Sequence, residues 1–326
     1  MRNLFIISSL CLLFSCQAPT GNEQAALERV DQKALKTAMN KAEEATGQAA
    51  SDDYWFQGKA ELNHYEVKQN RYRDVHEGEA IVVFVSEDFL VDKQVKNDYY
   101  RNPNSTSIIK TNKLLRFPTG IYDYSLMTSV FTPFDQQKFD KSLKVTHTAQ
   151  DWCGQGFLQF NKQDEGYKIN SFSYFESEGD VQKQLGNVML EDELFNLIRL
   201  NPANVPLGKQ EMVPSADVLR MLHLPLAPRQ AKLSMEDYER EAFEGNKLRV
   251  LKVSYPEINR TYNIFFEGVA PYQIVGWEDE YPSAFDKRPR KTTAKRTHKR
   301  LSAYWGENAL SDQKLRKEFG LKSFLK

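Results

Sequence analysis

The sequence predicts an α+β protein: mostly antiparallel β-sheet, open or curled into a half-barrel, with a short helical insertion, an N-terminal stalk helix and a basic C-terminal tail. Three observations predict it. Between Tyr54 and Trp277 apolar residues alternate or form short β-branched runs, the pattern of strands. Two stretches inside that region switch to helical spacing and stop just before Pro202 and Pro225. The composition changes at both ends, to Ala, Glu, Lys and Gln before Tyr54 and to Lys and Arg after Pro282. Strands, then helices, then strands argue for α+β rather than alternating α/β.

The chain divides into residues 1–15, 16–53, 54–281 and 282–326. In the first, Arg2 precedes an apolar run from Leu4 to Phe14, the order of a secretory signal. That run is eleven residues long, against the roughly 20 needed to span a bilayer as a helix. It ends in Leu13-Phe14-Ser15-Cys16, which resembles the lipobox of bacterial lipoproteins. The resemblance implies diacylglyceryl transfer to Cys16, cleavage before it, and acylation of the new amine. Each buried CH₂ contributes about 0.8 kcal/mol, so several chains on one residue make a lasting anchor. Gln17 follows Cys16, where Asp would favour inner-membrane retention, which points to the outer membrane. The second segment reads as a tether, with a stalk helix over Glu23 to Ala45 carrying a thin stripe of Leu27, Val30, Ala34 and Ala38.

In the third segment the expected strands are Tyr65 to Tyr72, Ala80 to Val85, Leu143 to Thr148, Gly156 to Phe160, and Tyr167 to Phe175. Asp164-Glu165-Gly166 is the expected hairpin turn before the last of these. A helix is expected over Val188 to Leu200, with Asn187 as N-cap and Glu191, Asp192 and Glu193 favouring its dipole. A shorter one runs from Ser215 to Leu222. Strands return at Lys247 to Tyr255, Arg260 to Phe266, and Tyr272 to Trp277. A last amphipathic helix is expected over Ser311 to Leu325, capped by Ser311, with Leu315 and Phe319 on one side.

Hydrophobic residues are 40% and aromatics 12%, enough for a large core. Lys+Arg and Asp+Glu balance at 44 each, so nothing global points to nucleic acid. Of three cysteines, Cys11 leaves with the signal and Cys16 takes lipid. Cys153 is then alone and forms no internal disulfide. With His147 it is a weak candidate for a nucleophile and base, but lone cysteines more often pack as small hydrophobes, and Trp152 and Gly154 suggest a packed strand end. His64, His76 and Glu77 lack metal-ligand spacing. The sequence has no motif for a cofactor or metal.

The strongest interaction signal is the basic run. Eight of the fourteen residues from Lys287 to Arg300 are Lys or Arg, with no acid: Lys287, Arg288, Arg290, Lys291, Lys295, Arg296, Lys299 and Arg300. Such a run repels itself, predicting disorder and attachment to an anionic envelope lipid or polymer.

Tyr54-Trp55-Phe56-Gln57-Gly58-Lys59-Ala60-Glu61, Arg71-Tyr72, His76-Glu77-Gly78, Val83 to Phe89, Thr119 to Tyr122, Ser129 to Pro133, Trp152-Cys153-Gly154 and Leu190 to Glu193 together resemble a family of uncharacterised bacterial lipoproteins often labelled "septum formation inhibitor Maf". The resemblance covers residues 54–278. Genuine Maf proteins are cytoplasmic nucleotide pyrophosphatases with a Ser-Pro-Arg-Arg-type loop, which this sequence lacks. The resemblance therefore implies an envelope location and supplies no activity. The sequence expectation is a membrane-anchored envelope lipoprotein, a non-enzymatic binding or structural protein. The alternatives are a carrier of a lipid or other hydrophobic ligand in a curled sheet, and a hydrolase using Cys153.

Overall fold

The computed structural model describes residues 53–322. The expected signal peptide, Cys16 and the stalk helix lie outside them. Fifteen strands form one sheet in the order β8-β7-β6-β5-β4-β3-β2-β1-β15-β14-β13-β12-β11-β10-β9. The first half is a meander: β1 (Ala60–Arg71), β2 (Asp74–Leu90), β3 (Ser105–Thr119), β4 (Tyr122–Pro133), β5 (Lys144–Asp151), β6 (Gly154–Gln163), β7 (Gly166–Phe172) and β8 (Val181–Leu185). The second half is β9 (Met189–Leu190), β10 (Gly208–Val213), β11 (Arg229–Asp237), β12 (Leu248–Tyr255), β13 (Arg260–Glu267), β14 (Ile274–Pro282) and β15 (Pro289–Ser302). All pairings are antiparallel except β9 with β10.

Asp164 and Glu165 form the expected turn, between the paired Gln163 and Gly166. Gly166 is required there: its φ is +143°, and a Cβ would come within 2.0 Å of the Leu185 carbonyl oxygen.

Between β9 and β11 lies the insertion. A 3₁₀ turn, Glu191–Glu193, leads into α1 (Leu194–Leu200), and α2 (Ala216–Leu222) follows β10. All seven residues of α1 are buried, as in a helix surrounded on every side. Its polar members reach into the sheet. Asn196 Nδ2 donates to the Ile109 and Val130 carbonyls and to Thr132 Oγ1, and Arg199 holds Glu61 of β1 through both terminal nitrogens. Just before α1, Glu191 takes two hydrogen bonds from Arg260 of β13 at 2.6 and 2.7 Å. Strands β4 and β13 are six steps apart, about 29 Å in a flat sheet. A seven-residue helix is about 10 Å long, so the sheet must curl around the insertion. The edges agree. β8 ends at Leu185 and β9 begins at Met189, so the chain holds the two edge strands within about 14 Å. The ladder itself does not close into a barrel. Short edges of five and two residues leave little unpaired backbone.

The main core lies inside the curl, where Tyr65, Phe84, Phe117, Tyr255 and Phe266 meet Leu194, Leu197 and Ile198. Outside it, Phe319 packs on Ala60, Leu62, Val83 and Val85. Among the described residues no helix is long and apolar enough to cross a membrane.

Several expectations are corrected. The basic run is not a disordered tail, and 281/282 is not a boundary. Residues 289–302 form β15, bonded to β1 and β14 in mid-sheet. Thr292 and Ala294 are small enough to bury, and the acids missing from the run come from its neighbours: Lys291 lies opposite Glu280, and Lys295 opposite Glu66. The expected Val188 to Leu200 helix is shorter, because Met189 and Leu190 pair with Met212 and Val213, so Asn187 caps nothing. The last helix, α3, spans only Gln313–Glu318, and Ser311 belongs to a preceding 3₁₀ turn, Leu310–Asp312. Strands β3, β4, β8, β10 and β11 are not among those expected, and the strand expected over Tyr167 to Phe175 ends at Phe172.

A candidate ligand cavity between the sheet and helix α2

Lys113, Thr128, His147, Leu158, Ser171 and Val181 are successive pairing partners across β3 to β8. Directly opposed residues share a face, and this row faces the insertion. Asp217, in the first turn of α2, is held by its first three members. Its Oδ2 lies 2.6 Å from Lys113 Nζ, and its Oδ1 lies 3.3 Å from Thr128 Oγ1 and 3.4 Å from His147 Nδ1. One carboxylate thus ties three adjacent strands to one helix. Burial alone would raise its pKa, but Lys113 and His147 outweigh burial and hold it below the usual carboxylate range.

Beyond His147 the row runs under α2 without filling the space. A cavity of about 370 Å³ opens there, within the size range of small-molecule sites. Its walls are mainly apolar: Ala149, Phe157, Leu158, Val181, Leu219 and Leu224. The exposed lining residues Phe172, Ser177, His223 and Pro225 mark its mouth, between the β7–β8 loop and the end of α2. The charged groups of the lining already have partners. Glu178 lies 2.5 Å from His223 Nδ1, Arg220 donates to Asp151 at 2.8 Å, and Lys183 donates to the Leu226 carbonyl.

His147 is different. It is 3% exposed, and burial pushes its pKa down to about 4 against the pull of Asp217, so it is neutral near pH 7. Thr128 Oγ1 lies 3.0 Å from its Nδ1. Thr128 can donate its one hydroxyl proton to Asp217 Oδ1 and so accept from Nδ1–H. That order leaves Nε2 as a bare acceptor. Nε2 is buried with no hydrogen-bond partner, and among the described residues it is the one such atom whose residue lines the cavity.

The other sequence candidates fall elsewhere. Cys153 is exposed in the two-residue turn between Asp151 and Gly154, not packed at a strand end. His147 precedes Asp151 by four residues of β5, about 13 Å, so strand geometry separates the two candidates for a dyad. The exposure of Trp152 and Cys153 follows from the turn: Asp151 Oδ1 accepts the Cys153 amide at 2.7 Å and caps the reversal. His64 bonds Thr297 at 2.7 Å on the outer face, and His76 bonds the Arg71 carbonyl at 3.2 Å. Among the described residues no group of three or more His, Cys, Asp or Glu is placed to hold a metal ion. Of the basic run, Arg290 pairs with Asp286, Lys291 with Glu278, Arg296 with Glu267 and Arg300 with Glu307. Lys299 donates to Gln273 at 2.9 Å, and Lys295 lies over the Phe243 ring. Lys287 and Arg288 are exposed in the β14–β15 turn.

Glu191 and Glu193 are buried, and Asp192 is partly so. Burial raises Glu193, whose carboxylate accepts from Ser142 and Leu190. Burial pushes Asp192 up to about 7, against the pull of Lys113. Sequence reasoning missed Asp217 as a clamp, because an acid in a helix's first turn looks like a dipole partner. It missed the cavity because the row that builds it comes from six separate strands.

No known family model matches the chain, and no curated protein matches it. Among solved structures, a β-barrel-like protein of a domain of unknown function, DUF1849, from Brucella abortus is similar over 74% of this chain and 98% of its own. The identity is 9% and the TM-score 0.37.

Proposed function

We propose that the protein is a lipid-anchored, non-enzymatic binding protein of the bacterial cell envelope, seated at the outer membrane through Cys16. Its β-rich body, a curled half-barrel around the helical insertion, holds a small hydrophobic or amphipathic ligand in the cavity under α2. The observation that carries this reading is the 370 Å³ cavity with mainly apolar walls. Well-packed proteins leave few spaces of that size.

The hydrolase reading loses its support, since Cys153 sits at an exposed turn with no histidine among its hydrogen-bond partners. Attachment to an anionic surface is also weakened as a role for the whole run. Of its eight cations, Lys287 and Arg288 stand exposed in a turn, and most of the others are engaged by neighbouring acids or by Gln273.

The anchor is tested by metabolic labelling with a palmitate analogue, which should label the wild type and not Cys16→Ala. The cavity is tested with N-phenyl-1-naphthylamine, an uncharged probe that fluoresces in apolar surroundings. Saturable fluorescence is expected with the wild type. It should fall at least ten-fold in Gly156→Val. A Cβ at Gly156, on the cavity lining, meets its nearest atoms at 3.6–3.9 Å, ordinary contact, so a side chain can start there without forcing the strand. Equal fluorescence in the two proteins would refute the cavity as the binding site.

A further inference from the structure

We infer that the cavity takes a single-chain amphiphile with an anionic head, a carboxylate or a phosphate monoester, and that Lys183 holds the head. This rests on the ligand-binding reading above and specifies the chemistry of the ligand.

Strand alternation places Lys183. On β8, Val181, Lys183 and Leu185 are part-buried, while Gln182 and Gln184 between them are exposed. Val181 and Lys183 line the cavity, and Leu185 packs on the core cluster that holds Leu158, Ile169 and Leu219. The lysine therefore lies on the inner face of the edge strand, opposite the fully buried Ile169 of β7. Its ammonium reaches across to the segment after α2 and donates to the carbonyl of Leu226, which also lines the cavity.

Charge along the lining is not closed at this point. Apart from two histidines, its acidic and basic side chains are Glu178, Lys183 and Arg220. Glu178 is set against His223 at 2.5 Å, and Arg220 against Asp151 at 2.8 Å. Lys183 has no acid beside it: among the described residues its partner is the Leu226 carbonyl. An ammonium carries three donors, so two have no protein acceptor. A charge on an edge strand also deters pairing with another chain. That role needs only an exposed charge, whereas this one is turned under the chain that follows α2.

An apolar cavity by itself would favour an alcohol over a carboxylate of equal length, because an ionised group costs far more to take out of water. A compact cation on the wall reverses that order. The sign of the preference thus reports on Lys183. Lysine acts as a point charge rather than a planar fork, so a carboxylate and a phosphate both satisfy it. The volume of about 370 Å³ is near the lower end of the roughly 300–1,000 Å³ of small-molecule sites, which suits one chain.

The test displaces N-phenyl-1-naphthylamine from the full chain in low salt at pH 7.5 with decanoate, decyl phosphate, 1-decanol and decyltrimethylammonium. The two anions should bind roughly ten-fold more tightly than decanol, and the cation most weakly. The gap should narrow in 0.5 M salt, where the charges are screened over a few ångströms. In Lys183→Met the anions should lose roughly ten-fold while decanol stays within about two-fold, and Lys183→Arg should keep the wild-type order. A preference for decanoate alone, or for decyl phosphate alone, also supports the inference and fixes the head group. Decanol binding as tightly as both anions in the wild type, or an anion preference that survives in Lys183→Met, would overturn the inference and leave the cavity reading standing. So would self-association of Lys183→Met with an unchanged ligand order, which would make the lysine a guard of the sheet edge. A wild type that does not bind the naphthylamine probe at all would overturn the cavity reading itself. Should Lys183→Met fold poorly, Lys183→Gln and the salt dependence of the wild-type order decide the matter.

Discussion

The helical insertion meets the sheet in two contrasting ways. Around α1 the buried charges are matched. Arg199 grips Glu61 with both terminal nitrogens and stacks 4.7 Å over Phe84, and Arg260 sits between Glu191 and Asp279, each held twice. Around α2 the same economy stops short. Asp217 is satisfied three times over, yet beside it the row runs on under α2 and leaves a cavity of about 370 Å³ unfilled. Buried ion pairs are weak evidence for stability in themselves, because desolvation offsets attraction. Here they fix where the insertion lies inside the curl. The contrast teaches that polarity alone does not mark a site. What marks it is unfilled space beside a satisfied cluster.

Breaking the α1 side should give the largest effect. Arg260→Ala leaves Glu191 and Asp279 buried without their partner and should cost about 3–5 kcal/mol or more, read as a drop in the urea midpoint. Replacing the whole triad by Arg260→Met, Glu191→Leu and Asp279→Leu should recover most of it. A loss under 1 kcal/mol in the single variant would show that the pairs do not hold the insertion.

Acid dependence should separate two neighbours on the α2 side. Asp192 is raised from 3.8 to about 7, so the native state keeps a proton that the unfolded chain releases. Its share of stability is greatest below pH 4 and is lost as pH rises toward 7. His147 is lowered from 6.5 to about 4, so the unfolded chain binds a proton that the native state refuses. Its share is present above pH 6.5 and is lost as pH falls toward 4. In the wild type the two slopes oppose each other. Asp192→Asn should therefore make stability rise more steeply from pH 4 to 6.5, and His147→Phe should turn the slope downward. Parallel profiles in the two variants would contradict the assignment.

The smallest effect should be at Cys153. As an exposed turn residue, Cys153→Ser should change stability by less than about 0.5 kcal/mol, and probe binding not at all. A larger loss would return it to a packing role.

Much of the fold was legible in the sequence, and the misses share a cause. Ala80 to Val85 lies within β2, and the Asp164-Glu165 turn joins β6 to β7, because alternation, β-branching and turn chemistry are local. Pro202 ends the first helix at Asn201 as its geometry requires. β15 was not legible, since its charge is balanced only across strands by Glu66, Glu278 and Glu280. β3 was hidden in the same way. Its mid-strand Lys110 and Lys113 look solvent-facing until Glu87 and Asp217 are brought to them from elsewhere in the chain. The cavity was beyond sequence reasoning for the same physical reason. Its key residue, His147, is ordinary in the sequence, and becomes singular only when Thr128, Asp217 and Leu158 have taken their places around it.

The most direct measurement is the ring-nitrogen spectrum of His147, by long-range ¹H–¹⁵N correlation of labelled protein at pH 7, assigned by its loss in His147→Phe. The expected result is a neutral ring with its proton on Nδ1 and Nε2 unprotonated, and ring resonances that shift when N-phenyl-1-naphthylamine fills the cavity that His147 lines. A proton on Nε2, a charged imidazolium, or ring resonances that do not move while the probe binds would contradict the place given to this side chain.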